Sequence, residues 1–367
     1  MGTIKQNFAN NIETSGKFDA QDLTGTIPAA NIANASLSDI TTVPPTATGG
    51  DLIQSVASDP PAPDFGDIWY NSTEQKIKLK ALGAGSWASG GNLNTARYAQ
   101  LGGAGTQTSA LAFGGADPAG IAVANNEEYN GTSWTETTDL NTTRSQMGST
   151  GQSPQTAAFG FGGDRPNGFQ SLAESWNGSA WTETTDLNSA RASMGAAGNQ
   201  TAGLAFGGRT PPNNPTGITE SWNGSAWTEL NDMNTGRAYI HGSGTQTAAI
   251  GSGGYTPTAV TELWNGTSWT EVNDLNTGRG YLTNNGGTQT STIVVGGYVS
   301  GGPYVANTET WNGTSWTEEN DLNNATGWGG SAGTASSLLY FGGTPVAATT
   351  RTEEWTVATP NQSIQGS

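Results

Sequence analysis

The chain has 367 residues, 54 of them glycine, with charged residues at 12% and a formal net charge of -17. Its 13 basic residues are spread thinly, so the chain repels a phosphate backbone and nucleic acid is excluded as the main partner. The absence of cysteine removes disulfides, thiolate metal sites and cysteine nucleophiles.

Residues 1–62 show neither helical nor strand periodicity and carry a Pro-rich linker, P-P-T-A-T-G-G, at 44–50. Such a segment buries too little apolar surface to order alone and is expected to order by docking on a partner. Its start, M-G-T-I-K-Q-N-F-A-N-N, has no apolar core followed by small residues, so no secretory signal is expected. No apolar run reaches the roughly 18 residues of a membrane span, and no membrane insertion is expected.

The stretch D-L-T-G-T-I-P-A-A-N-I-A-N-A-S-L-S-D-I at 22–40 resembles the N-terminal segments of tail-fibre and other appendage proteins of bacteriophages. That resemblance implies attachment to other virion proteins through residues 1–62. Next comes G-D-I-W-Y-N-S-T-E-Q-K-I-K-L-K at 66–80, two alternating runs around a polar turn, which predicts a small β-hairpin module over 63–84. Its G-D-I-W-Y-N start is similar to short β modules of phage structural proteins.

From residue 85 the chain is a repeat array, built on E-S-W-N-G-S-A-W-T-E at 220–229 and its copies. An Asn-Gly pair between two Trp-bearing runs predicts a tight antiparallel hairpin with a type I′ turn. The closing Trp recurs at 87, 134, 181, 227, 269 and 316, a period of 42 to 47 residues, and each unit also carries D-L-N-T-x-R and an apolar run ending in Gly-Gly. The order of Gly-Gly, an aromatic and a closing Trp is similar to the kelch repeat, which implies one four-stranded propeller blade per unit.

Trp87 has no preceding E-x-W run, and the last unit stops at Glu353-Glu354-Trp355 without a closing Trp. The two halves complement each other. An all-β, six-bladed kelch-like β-propeller over 85–358 is therefore predicted, closed by its own terminal strands, with 359–367 as a tail.

The Asn-Gly turns are short and nearly invariant, whereas the loops after Gly-Gly differ in every unit, so the second face is the binding candidate. Arg97, Arg144, Arg191, Arg237 and Arg279 open successive blades and Thr326 takes their place in the sixth. They either line a channel mouth as a cationic ring or bond scaffold carbonyls and the recurring Asp139, Asp186, Asp232, Asp274 and Asp321; repetition in phase favours the scaffold. A Ca²⁺ site at the Asp series would need more oxygens than one Asp per blade supplies.

Two residues beyond the Arg position the units carry Ala99, Gln146, Ser193, Tyr239, Tyr281 and Trp328. Three adjacent blades thus place large aromatics where the others place small or polar groups. Tyr239, Tyr281 and Trp328, extended by Tyr255, Tyr298 and Tyr304 on the variable loops and flanked by Arg237 and Arg279, form a candidate glycan platform. The alternative is filler between blades, which is also how the repeated Trp pairs are read.

No enzyme is expected, and no cofactor. The single His241 and absent Cys exclude the copper and cross-linked tyrosine chemistry of galactose-oxidising propellers, and sialidase boxes are missing. Asp117 and Asp164 on variable loops leave paired-carboxylate glycoside hydrolysis as an alternative, with nothing to place them at a working distance. The functional expectation is a phage structural protein on the outer surface of the virion, without catalytic activity, whose propeller binds a host-surface saccharide or receptor. A decoration module contacting only virion subunits is the alternative, and homo-oligomerisation is open.

Overall fold

A computed structural model of the chain describes residues 54–61, 67–80, 83–255, 258–344, 348–358 and 361–364. Most of the expected attachment segment, 1–62, lies outside the described residues. The chain divides into two compact units, Met1–Ala84 with Val357–Ser367, and Gly85–Thr356.

In the first unit Ile68–Asn71 and Lys76–Lys80 form the expected hairpin. Two strands were not anticipated: Gln54–Val56 pairs parallel with Ile68–Asn71, and Asn361–Ile364 pairs antiparallel with Lys76–Lys80. The segment read as a tail thus supplies the fourth strand of this sheet. Its polar centre is Asp59, which accepts from Trp69 Nε1 (3.1 Å), Asn71 Nδ2 (2.8 Å) and Lys78 Nζ (2.9 Å). Trp69 and Lys78 face each other across the strands, so one carboxylate holds both.

The second unit is a six-bladed, all-β propeller, with no helix among the described residues. Each blade is a four-stranded antiparallel sheet. From the axis outward the first blade is Gly102–Thr106, Ser109–Phe113, Asn126–Tyr129 and Trp134–Glu136. The blades that follow begin at Gly148–Ser149, Gly195–Asn199, His241–Gly244, Gly287–Thr288 and Gly330–Thr334. In the sixth, the outermost strand is Gly85–Ser89, beside Thr352–Val357. The half-repeats at the two ends therefore complete one sheet and leave no open edge in the ring. Gly85 is required there because a Cβ at that position would stand 1.9 Å from the Trp355 ring.

The outer hairpins differ in detail from expectation. Trp176 pairs with Trp181, which leaves Gly178-Ser179 as the central pair, and of these only the glycine has positive φ (92°). That is the glycine-first type II′ pattern rather than type I′. Asn177 lies one place earlier and accepts from the amides of Ser179 and Ala180, so the Asn is selected as a side-chain cap rather than for a left-handed backbone. The other four Asn-Gly turns repeat the positive-φ glycine.

Three recurring contacts join the blades. Closing tryptophans pack on the phenylalanine of the preceding blade: Phe113 with Trp181 (4.8 Å between ring centroids), Phe161 with Trp227 (5.0 Å), Phe206 with Trp269 (4.8 Å) and Phe341 with Trp134 (5.1 Å). Indole N–H groups bond the preceding blade, as Trp269 does to Thr219 Oγ1, and Trp87 of the closing strand does the same to Thr308 Oγ1 (3.1 Å). Glutamines at the inner hairpins donate to two carbonyls of the blade before, as Gln155 does to Ala110 (2.7 Å) and Tyr129 (3.0 Å). The sixth blade has Ala335 in that place, so its junction with the fifth lacks this clamp. The Trp pairs of the second to fifth blades are buried and Trp87 of the closing strand is half-buried against Trp355, and all belong to the packing.

Candidate functional site

The five arginines are internal. Arg97, Arg144, Arg191, Arg237 and Arg279 are all but fully buried, and their Nη2 atoms pair with Glu127, Glu174, Glu220, Glu262 and Glu309 at 2.8–3.0 Å. Each Nη1 donates to two backbone carbonyls, Gly207 and Ile218 in the case of Arg191. The partner is thus the Glu of the E-x-W run and not the recurring Asp. Burial pulls all five guanidinium pKa values below their ordinary level, against the opposing pull of the Glu, and they remain protonated. Arg237 and Arg279 consequently do not reach the candidate platform, and no cationic ring lines a channel mouth.

The axis itself is filled by the fifth blade. Tyr281 stands seven residues before Thr288, whereas six separate Tyr239 from Thr245, and the longer connection carries Asn284 and Asn285 inward. Asn285 Nδ2 donates to Gly103 O (2.9 Å), Ser149 Oγ (3.3 Å) and Ser331 O (3.4 Å). Asn284 accepts from the Ala196 amide (3.2 Å) and donates to Met194 O (3.1 Å). Two side chains therefore bond four other blades, and the gap beside Asn285 and Gly287 leaves no room for a water molecule.

On the variable face the six positions Ala99, Gln146, Ser193, Tyr239, Tyr281 and Trp328 form a collar around this plug. All have positive φ, between 55° and 65°, a conformation that non-glycine residues adopt at a cost of about 1 kcal/mol or more. The compensation is a closed belt of backbone hydrogen bonds. Gln146 N donates to Ala99 O (2.7 Å), Ser193 N to Gln146 O (2.8 Å), Tyr239 N to Ser193 O (2.7 Å), Leu282 N to Tyr239 O (3.3 Å), Trp328 N to Tyr281 O (3.0 Å) and Gln100 N to Trp328 O (2.8 Å).

A second ring lies at the first residue after each Gly-Gly: Ala116, Asp164, Arg209, Tyr255, Tyr298 and Thr344. Each pairs with the residue just before a collar position, for example Ala238 with Tyr255 and Gly280 with Tyr298. The two rings explain why collar and loop residues meet although more than a dozen positions separate them in sequence.

The structure brings all six predicted aromatics together. Tyr281 stacks on Trp328 (4.2 Å, 16°) and Tyr255 stacks on Tyr281 (5.2 Å, 25°), a three-ring stack with Tyr281 in the middle. Tyr239 is set edge-on to all three at 73–81°, and only 6% of it is exposed. Tyr298 contacts Tyr281 and Tyr304, and Trp328 Nε1 donates to Tyr304 Oη (2.9 Å). Tyr255, at 43%, is the most exposed of the group. Burial raises the phenol pKa values of Tyr239, Tyr281 and Tyr304, so these hydroxyls stay protonated at neutral pH. Tyr281 thus lies between Tyr255, which is exposed, and Trp328, which is half-buried.

The opposite side of the collar is polar. Ser193 Oγ donates to Gln146 Oε1 (2.7 Å), and Arg209 donates to Gln146 Oε1 and Asn213 Oδ1. Its guanidinium lies over the rings of Tyr239 (4.5 Å) and Phe169 (5.0 Å). Arg209 was not among the residues singled out from sequence; its signal there is its place directly after Gly207-Gly208, the position Tyr255 and Tyr298 hold in their own units.

Asp117 Oδ1 accepts from the amides of Ala119 and Ile121 within its own loop, and Asp164 Oδ1 accepts from the Arg165 amide. Asp139 and Asp274 accept from strand amides of their own blades. Among the described residues no three His, Asp or Glu side chains gather as metal ligands. Compared with protein-family models and with curated proteins, the chain matches none, and the assignment to a six-bladed β-propeller rests on its geometry.

Proposed function

We propose that this chain is a structural protein of a bacteriophage virion, a tail-fibre-like appendage on the outer surface of the particle. In this reading residues 1–62 attach it to other virion proteins, and a kelch-type propeller binds a saccharide of the host surface. The observation that carries the binding role is the Tyr255–Tyr281–Trp328 stack, whose two end faces are flat, apolar and placed beside hydrogen-bonding groups on the one face with variable loops. Flat apolar faces beside polar groups suit the C–H-rich face and hydroxyl rim of a pyranose. The plugged axis supports approach across this face rather than through a channel. The N-terminal resemblance to phage appendage segments supports the virion assignment.

The test is binding of the full chain to intact candidate host cells, with Tyr255→Ala/Trp328→Ala alongside. Affinity is expected to fall at least about tenfold, or about 1.4 kcal/mol, with only a small shift of the thermal midpoint. Unchanged cell binding together with a large loss of stability would identify these rings as filler.

A further inference from the structure

The propeller contains eight cationic side chains, all arginine. Six of them, the five internal ones and Arg351, have a Glu partner within 4 Å. The two without a carboxylate partner among the described residues are Arg165 and Arg209, on the variable loops of the second and third blades. In a chain of net charge -17, these two guanidinium groups are the exception to a rule the rest of the ring obeys, and Arg209 is the one that stands beside the aromatic surface.

Arg209 is also held in place. It lies over the rings of Tyr239 and Phe169, and its bonds go to neutral acceptors on Gln146, Asn213 and, at 3.5 Å, Ser193. A guanidinium has five N–H donors. Three are used and the unpaired Nε is buried, which leaves one Nη1 hydrogen to meet a ligand. Aromatic faces attract the cation without neutralising it, so Arg209 brings a positive charge to the collar, where the Asp164 carboxylate also acts on Tyr239. Its neighbour Tyr239 meets the Tyr255–Tyr281–Trp328 stack edge-on.

We propose that the ligand of this face is an acidic saccharide, one ring of which lies on an outer face of the stack while a carboxylate is met by Arg209, with Arg165 adding to the local positive field. This inference rests on the saccharide-binding reading above and adds the charge of the ligand. A guanidinium pairs well with a carboxylate, and against the net negative charge of the chain it draws an anion to this place.

The test uses the full chain on an array of oligosaccharides printed as matched pairs, each uronate- or sialate-bearing member beside its carboxyl-reduced form. The acidic member of at least one pair should bind at least about tenfold more tightly, and this preference should shrink as salt rises. Arg209→Gln should abolish the preference, and Arg209→Lys, which keeps the charge without the fork, should retain part of it. Equal binding of both members would overturn the inference and leave the saccharide reading standing. A preference undiminished in both Arg209→Gln and Arg165→Gln would overturn it as well. If no member of any pair binds, the saccharide reading and this inference fail together. The comparison within the unmodified chain decides the matter even where a variant does not fold.

Discussion

Arg191→Met is expected to cost the propeller about 3–5 kcal/mol, because it leaves the Glu220 carboxylate buried without its cation. Glu220 Oε1 accepts from Arg191 Nη2 (2.9 Å), and Oε2 accepts from the amide (2.7 Å) and side chain (2.8 Å) of Asn188. Neither partner of the pair is exposed, so water cannot replace the lost donor. The sixth blade shows what a different solution looks like. There Thr326 replaces the Arg, and the ring of Tyr340 stands where other blades have a smaller residue, with its hydroxyl 3.2 Å from Thr326 Oγ1. Arg351 enters from another position to lie 3.2 Å from Glu353. Transplanting all three changes into the third blade, as Arg191→Thr with Ala205→Tyr and Ile218→Arg, should recover most of the stability that Arg191→Met loses. Chemical denaturation of the two variants measures this, and a triple variant no better than the single one would show that the sixth-blade arrangement depends on more than these three residues.

Acid should destabilise the ring through His241. This side chain is fully buried on the inner strand of the fourth blade, with Nδ1 2.7 Å from Thr283 O and Nε2 3.1 Å from Thr292 Oγ1. A neutral ring satisfies both contacts when Nδ1–H donates to the carbonyl and Nε2 accepts from the hydroxyl. Burial, with Arg279 adding to it, pushes its pKa from 6.5 down to about 4. The sign follows from which state takes the proton. As pH falls below about 6.5 the unfolded chain protonates this imidazole and the folded one does not, so stability falls until about pH 4 and the increment is constant below that. A shift of this size corresponds to roughly 3 kcal/mol. The carboxylates titrate over part of the same range, so the measurement is the difference between the parent and His241→Gln in denaturation midpoints from pH 7 to pH 4. The parent should lose more than the variant, and parallel curves would contradict the assignment.

Much of the fold is legible in the sequence because each repeat states its hairpin twice, once through the Asn-Gly pair and once through the alternating Trp residues. The ring closure is legible because the half-unit at Trp87 and the half-unit at Trp355 are each incomplete in the way the other supplies. What was misjudged has local causes. Asp and Glu recur in the same phase, so spacing alone could not show that the arginines choose Glu127 and its counterparts some 30 residues on. The turn type was read from the Asn-Gly pair, whereas the strand register places the Asn outside the central pair. Asn361–Ile364 has no alternating apolar pattern to mark it as a strand.

The aromatic half of the candidate site was found because Tyr239, Tyr281 and Trp328 interrupt a repeat of small and polar residues. The collar they belong to was not found, since positive φ at six non-glycine residues leaves no mark in composition. The Asn284–Asn285 plug was missed for a related reason: the added residue, in a connection whose length varies from unit to unit, looks like tolerated loop variation until the bonds to four other blades are seen. Arg209 was missed because the six loops were compared as variable segments, while its importance comes from the one position in those loops that is structurally fixed.

The most direct measurement of the account is backbone hydrogen exchange of the full chain with and without purified host-surface polysaccharide. The account predicts slowed exchange on the variable face, around 238–240, 254–255, 280–282, 297–298 and 327–329, with the Asn-Gly turns unaffected. Slowed exchange at those turns, 130–133, 177–180 and 223–226, with no change at the collar would contradict it.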